Sequence, residues 1–200
     1  MINTPKRQPT MKHLEPQLII IDGLDRCGKS TFIEYLRDKY PDSCPMVLHS
    51  TKPPSDLEDP KSYQLNHYKK QIQQIKEIIT NFEIPVIMDR FHLGEFVYGT
   101  LYRNGQYYPE ELKELEQPLK SIKTTLYVFT DSTDNRLDRD DGNSLTIDPS
   151  TMDAEYNMFT EWYDHSTITN KTFIDWSQGQ DFSASTFESL LDRHLSTDTE

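Results

Sequence analysis

The stretch "LIIIDGLDRCGKSTFIEYL", Leu18 to Leu36, carries two hydrophobic rhythms on either side of a glycine-framed turn. Its opening aliphatic run, Leu18 to Ile21, reads as a strand buried on both faces, as strands of parallel sheets are. After the turn, Phe32, Leu36 and Tyr40 recur at every fourth position with Ile33 and Tyr35 widening the stripe, which predicts a helix with one buried face. Between the two, Gly23, Gly28, Lys29 and Ser30 satisfy G-x-x-x-x-G-K-[ST] in the strand-then-helix context that the pattern requires. Glycines let successive backbone N–H groups turn inward around phosphates, and the next helix aims its positive end at them. Lys29 is then expected to reach the outer phosphates of ATP and Ser30 to ligate Mg²⁺, with Cys27 and Thr31 completing the cradle.

The rest of the chain repeats the alternation of short apolar runs and longer amphipathic stretches. Further strands are expected at Met46 to His49, Ile84 to Met88, Thr124 to Thr130 and Thr172 to Asp175. A long helix is predicted from Tyr63 to Phe82, where Leu65, Tyr68, Ile72, Ile75, Ile79 and Phe82 alternate threes and fours. Tyr108-Pro109-Glu110-Glu111 and Asp148-Pro149 read as helix starts, because Pro suits the first turn and acidic side chains favour the positive end of the dipole. The fold class predicted is α/β: a five-stranded parallel sheet flanked by helices. With 200 residues, one domain from 17 to 195 is expected, between a flexible tail at 1–16 and a frayed end at 196–200.

A formal charge of −12 opposes binding of a nucleic-acid polymer, which relies on Lys and Arg to displace counterions. A small phosphorylated ligand needs only a local positive pocket. No apolar run approaches a membrane span and the first residues lack the apolar core of a signal peptide, so a cytoplasmic protein without a membrane partner is expected. The two cysteines, Cys27 and Cys44, carry no metal-ligand spacing and are expected as reduced thiols. A redox role for Cys27 competes with that of a small residue that fits the loop.

A second chemical element is "IPVIMDR", an apolar run ending in Asp89, a carboxylate placed to hold Mg²⁺ or its water; the competing reading is a helix cap. The polar segment "DSTDNRLDRDDGNS", Asp131 to Ser144, follows a predicted strand end, where ligands sit in open α/β sheets, and is expected to form a lid loop over ATP.

Together, "GLDRCGKST" and "DRFHLGEFVYG" resemble the thymidylate kinases, P-loop nucleoside monophosphate kinases whose eukaryotic-type loop carries Asp-Arg at its centre. The resemblance covers these two motifs and the order of elements around them, and phage or viral members diverge in this manner. It implies a P-loop NTPase fold with a mobile lid, a small-molecule nucleotide substrate and a homodimer. By the same resemblance Arg26 contacts the transferring phosphoryl group and Asp25 the acceptor's sugar hydroxyl. Arg90 binds the acceptor phosphate, and Tyr98 faces the sugar where it excludes a 2′-hydroxyl. Arg136 and Arg139 contact the donor nucleotide, and the catalytic cation is Arg26 or one of these two. Tyr68 and Gln71 stand where the family reads the base, although Tyr68 also belongs to the apolar stripe and Tyr98 to a run of core residues. The family's signature after the second strand is replaced by "HSTKPP", in which Lys52 is the nearby cation. The acceptor implied is a pyrimidine deoxynucleoside monophosphate, dTMP or a modified dUMP analogue. That departure leaves another deoxynucleotide, a free nucleoside, nucleic-acid ends or modified bases as alternatives.

Overall fold

Five strands, β1 (Leu18–Gly23), β2 (Met46–His49), β3 (Val86–Asp89), β4 (Thr124–Thr130) and β5 (Asn170–Asp175), pair in parallel in the order β2-β3-β1-β4-β5. The computed structural model describes residues 13–139, 142, 148–179 and 181–192. β1 lies at the centre, so the loops leaving β1, β3 and β4 open side by side at the carboxyl edge, the edge at which α/β sheets bind ligands.

Seven α-helices cover the sheet among the described residues: α1 (Lys29–Lys39), α2 (Pro60–Phe82), α3 (His92–Arg103), α4 (Pro109–Glu116), α5 (Thr133–Asp138), α6 (Pro149–His165) and α7 (Ala184–Asp192). α1 buries Phe32, Ile33 and Leu36, as the four-residue rhythm predicts. Phe32 meets Tyr127 and Phe129 of β4 and Phe187 of α7, at centroid separations of 5.2, 5.4 and 5.1 Å. α2 starts three residues ahead of the predicted Tyr63, because the Asp59 carboxylate accepts from the Ser62 N–H at 3.0 Å and Pro60 occupies the first turn.

Strand ends differ from the sequence expectation in physically simple ways. β1 continues to Gly23, and the ladder carries on as the Leu24 N–H donates to the Phe129 carbonyl at 2.8 Å. β3 begins at Val86 instead of Ile84, since Pro85 has no N–H to give the ladder. Its carbonyl still accepts from the Met46 N–H at 2.9 Å. The expected lid loop is helical over Thr133–Asp138, where the Ser132 hydroxyl caps α5 by accepting from the Asn135 N–H. Residues 140–141 and 143–144 of that segment lie outside the described residues, as do 1–12 of the expected tail, the expected frayed end at 196–200, and 145–147, 180 and 193–195 of the expected domain. The tail expected to be flexible to residue 16 is anchored earlier: Leu14 is buried, and its N–H donates to the Ser43 hydroxyl at 2.7 Å. Among the described residues no helix is long and apolar enough to cross a membrane.

Candidate active site

The turn between β1 and α1 has the backbone of an anion cradle. Arg26 and Gly28 are left-handed, at φ 64° and 78°, with Cys27 between them at negative φ, the alternation of hand by which nests turn their N–H groups toward one concavity. Gly23, at φ 122°, lies so close to β4 that a Cβ there would sit 2.1 Å from the Phe129 carbonyl oxygen. Cys27 is buried; its carbonyl accepts the Trp176 indole N–H at 2.9 Å, and burial pushes its thiol up to about 12. A thiolate does not form there near neutrality, which leaves Cys27 as a small residue that fits. Lys29 is buried, and its ammonium donates to the carbonyls of Gly23, at 3.1 Å, and Leu24. Burial, and then the Arg90 charge, lower its pKa from the usual lysine value.

Two concavities adjoin at Arg90, beside this turn. A cleft of about 350 Å³ is bordered by residues 26–31 together with Asp89, Arg90, Arg139 and Phe182. A smaller cavity of about 180 Å³ runs between α2 and α3 and is lined by Lys52, Gln64, Tyr68, Arg90, Phe91 and Tyr98 among others. Arg90 borders both. It is held there by its own left-handed backbone at φ 62°, by its N–H to the Ile21 carbonyl at 2.8 Å, and by its guanidinium to the Asp25 carboxylate at 2.6 Å. Burial would raise the pKa of Asp25, but the charges of Lys29 and Arg90 outweigh it and hold the carboxyl below its usual value. Arg90 is the reverse case: burial opposes its charge and Asp25 restores it, leaving the pKa above the usual arginine value. Beneath both, the buried Asp22 carboxylate accepts the N–H groups of Gly23, Phe91 and Gly94 at 3.0, 3.1 and 3.0 Å, tying the phosphate-type turn to the start of α3.

The residues present fit ATP and Mg²⁺. Ser30 and Thr31 are exposed on the cleft at the N-terminus of α1, and Asp89 lines the same cleft from the end of β3 with His49 Nδ1 2.9 Å from its carboxylate. Among the described residues no cluster of three or more His, Cys, Asp and Glu forms a metal cage. One hydroxyl and one carboxylate suit a hard cation that completes its shell with phosphate oxygens and water.

Most residues expected from the sequence converge here. Asp25, Arg26, Cys27, Gly28, Lys29, Ser30, Thr31, Asp89, Arg90 and Arg139 lie in or beside the cleft, and Lys52, Tyr68 and Tyr98 line the smaller cavity. Tyr68 and Tyr98 are each buried against the core, and each also lines the cavity. Arg26 donates to the Arg136 carbonyl at 2.6 Å. Arg139 pairs with Asp131 and lies 5.0 Å from the Phe182 ring centroid.

Two expectations are corrected. Arg136 does not border the cleft; its guanidinium is buried and bonds the buried Glu155 at 2.5 Å and the Met152 carbonyl at 3.2 Å, an ion pair between α5 and α6. Gln71 does not line the cavity; the α2 residue that does is Gln64, one helical turn before Tyr68 on the same face. Glu95 and Arg103 of α3 also line it. Their signal in the sequence was spacing: Glu95 stands three residues before Tyr98, on the helix face that carries Tyr98.

No protein-family profile and no curated protein sequence matches the chain. Solved structures do. The YorR protein from Bacillus subtilis, in complex with phosphorylated GDP, superposes with a TM-score of 0.61 at 20% identity, over 88% of this chain and 98% of that one. Thymidylate kinase from Candida albicans gives 0.59 at 17% identity, over 88% and 91%. The fold is that of the P-loop kinases. Polyphosphate kinase 2 from Arthrobacter aurescens TC1 shares it as well, with a TM-score of 0.58 at 12% identity over 92% of this chain and 70% of that one. Nothing in these likenesses supports a phage source.

Proposed function

We propose that the protein transfers a phosphoryl group from ATP to the 5′-phosphate of a pyrimidine deoxynucleoside monophosphate. The observation that carries this reading is the position of Arg90, one guanidinium bordering both the phosphate-type cleft and the smaller cavity. A cation at that junction suits an enzyme whose acceptor is itself a phosphate, because donor and acceptor charges must be brought together and neutralised there. The resemblance to thymidylate kinases points first to dTMP or a modified dUMP analogue.

In this reading Lys29 leaves the Gly23 and Leu24 carbonyls to bond the outer phosphates, and the backbone amides from 24 to 30 hold the inner ones. Ser30 and Asp89 would hold Mg²⁺, which when bound would supply charge neutralisation at the phosphates. Arg26, carried by the loop itself, acts as the catalytic cation. Arg139, stacked on Phe182, contacts the donor nucleotide. Asp25 keeps Arg90 aimed at the acceptor, Lys52 adds a second cation, and Tyr98 bounds the sugar. The chemistry needs alignment and charge compensation more than a nucleophile.

The test is a panel of deoxynucleoside monophosphates, including 5-substituted pyrimidines, and the corresponding free nucleosides, each offered with radiolabelled ATP and Mg²⁺. Label is expected in the diphosphate of a pyrimidine deoxynucleotide. Labelled monophosphate formed from thymidine or deoxycytidine, with no labelled diphosphate formed from the corresponding monophosphates, would move the reading to a nucleoside kinase. ATP binding with no labelled acceptor would refute both.

A further inference from the structure

We propose that the smaller cavity selects a 4-aminopyrimidine, the base of a deoxycytidylate or of its C5-substituted relatives, over the 4-oxo base of a thymidylate, with Glu95 making the choice. This rests on the nucleotide kinase reading and narrows its acceptor. The wall carries the donors Lys52, Arg90 and Arg103 and the Tyr98 hydroxyl, which is buried without a partner among the described residues, and beside them two acceptors with capacity to spare. Gln64 is 1% exposed, and its amide N–H donates to the Thr51 carbonyl at 2.7 Å. Because a carbonyl can only accept, that bond decides which end of the amide is nitrogen, and Gln64 Oε1 is left buried without a partner among the described residues.

Glu95, 4% exposed, accepts from the Tyr107 hydroxyl at 2.6 Å and from the Arg103 guanidinium at 2.5 Å. A carboxylate offers about four lone-pair sites, so these bonds leave capacity on both oxygens. Gly99 makes the arrangement possible: a Cβ there would sit 2.7 Å from both Glu95 Oε1 and the Tyr107 hydroxyl. Arg103 Nε is buried with no acceptor among the described residues. The cavity thus asks its occupant for N–H groups toward Gln64 and Glu95 and for an acceptor toward Arg103.

A thymine or uracil edge has a single N–H between two carbonyl oxygens, so seating it turns a carbonyl toward an acceptor that repels it. A cytosine edge presents both N–H groups of its amine, and its ring nitrogen and 2-carbonyl answer the guanidinium. Phe91 and Tyr68, T-shaped at a centroid separation of 5.1 Å, wall the ring on its apolar sides.

Dissociation constants of dCMP, 5-methyl-dCMP, dTMP and dGMP are measured by calorimetry on the full chain without triphosphate, and kcat/KM for the same four is then measured with ATP and Mg²⁺. Both dCMP and 5-methyl-dCMP are expected to exceed dTMP by about 10- to 100-fold, the cost of leaving one buried group unpaired. Glu95→Gln, which offers an N–H to a 4-carbonyl, is expected to weaken dCMP by about 10-fold or more while dTMP holds or gains. Gln64→Met leaves the Glu95 network intact and is expected to weaken dCMP about 10-fold. The proposal is overturned if wild type binds dTMP as tightly as dCMP, if dGMP is the tightest ligand, or if Glu95→Gln weakens dCMP and dTMP by the same factor. Transfer to dTMP and dCMP alike removes the selectivity and leaves the kinase reading standing. Transfer to no monophosphate removes both.

Discussion

Substituting Gly28 by Ala separates two demands that the turn makes at one residue. The backbone is left-handed, φ 78°, which for a residue with a Cβ costs about 1–2 kcal/mol. The added Cβ would also lie 2.9 Å from the Phe182 ring, so that ring must move off its packing on Trp176 and Arg139, an overpacking cost of about 1–3 kcal/mol. The single variant is therefore expected to lose about 2–5 kcal/mol, the sum of the two. Removing the ring with Phe182→Ala abolishes the second cost and leaves the first. In a double-mutant cycle the pair should couple favourably by about 1–3 kcal/mol. Urea denaturation of the four proteins, read as midpoints at constant m, measures this. Additivity within about 0.5 kcal/mol would refute the placement of Phe182 against the turn, and a Gly28→Ala cost below about 0.5 kcal/mol would refute the left-handed backbone.

Arg26→Ala is expected to lower kcat about 1,000-fold while ATP affinity changes by a few-fold at most, as suits a cation acting on the group in flight; equal losses in single-turnover rate and in calorimetric affinity would count against that role. Asp25 carries a lowered pKa, so its ion pair with Arg90 stabilises the fold fully above the unfolded-chain value of about 3.9 and fades as pH falls through the folded value. Because the Arg90 side chain is 44% exposed, Asp25→Asn should cost only about 0.5–1 kcal/mol at pH 7, and the gap to wild type should narrow as pH is lowered from about 3.9 in urea titrations; a gap that stays constant or widens as pH falls contradicts the assignment. Iodoacetamide at pH 8 should label Cys44, which is exposed, and spare Cys27, whose thiol burial holds near 12, as peptide mass mapping will report. Comparable labelling of both would show that the turn opens.

What the sequence revealed and what it concealed divide along the range of the interactions. The β1 turn and α1 were legible because spacing, glycines and the flanking rhythm all lie within Leu18 to Leu36. α2 was legible because Tyr68, Ile72, Ile75 and Ile79 mark one face of a helix without reference to anything else. The role of Arg136 was not, since its partner Glu155 comes 19 residues later on another helix, and a charge in a polar run looks the same whether solvated or paired. α7 went unassigned because its apolar residues Phe187, Leu190 and Leu191 are few and follow a polar stretch, and they make sense only once Phe32 is seen beneath them. Gln71, three residues after Tyr68, and Gln64, four before it, both lie on its side of α2, so spacing alone does not show which of them reaches the cavity. Asp22 drew no reading from the sequence, since nothing local shows that it gathers N–H groups from Phe91 and Gly94.

The indole of Trp176 donates its proton to the Cys27 carbonyl at the crest of the turn, and the chain has two tryptophans. Replacing Trp162 by Phe would leave one fluorophore wired directly to the segment that, in the proposed function, receives the nucleotide. Its emission colour and quenching would then time the motion of that turn in a stopped-flow instrument, with no dye attached.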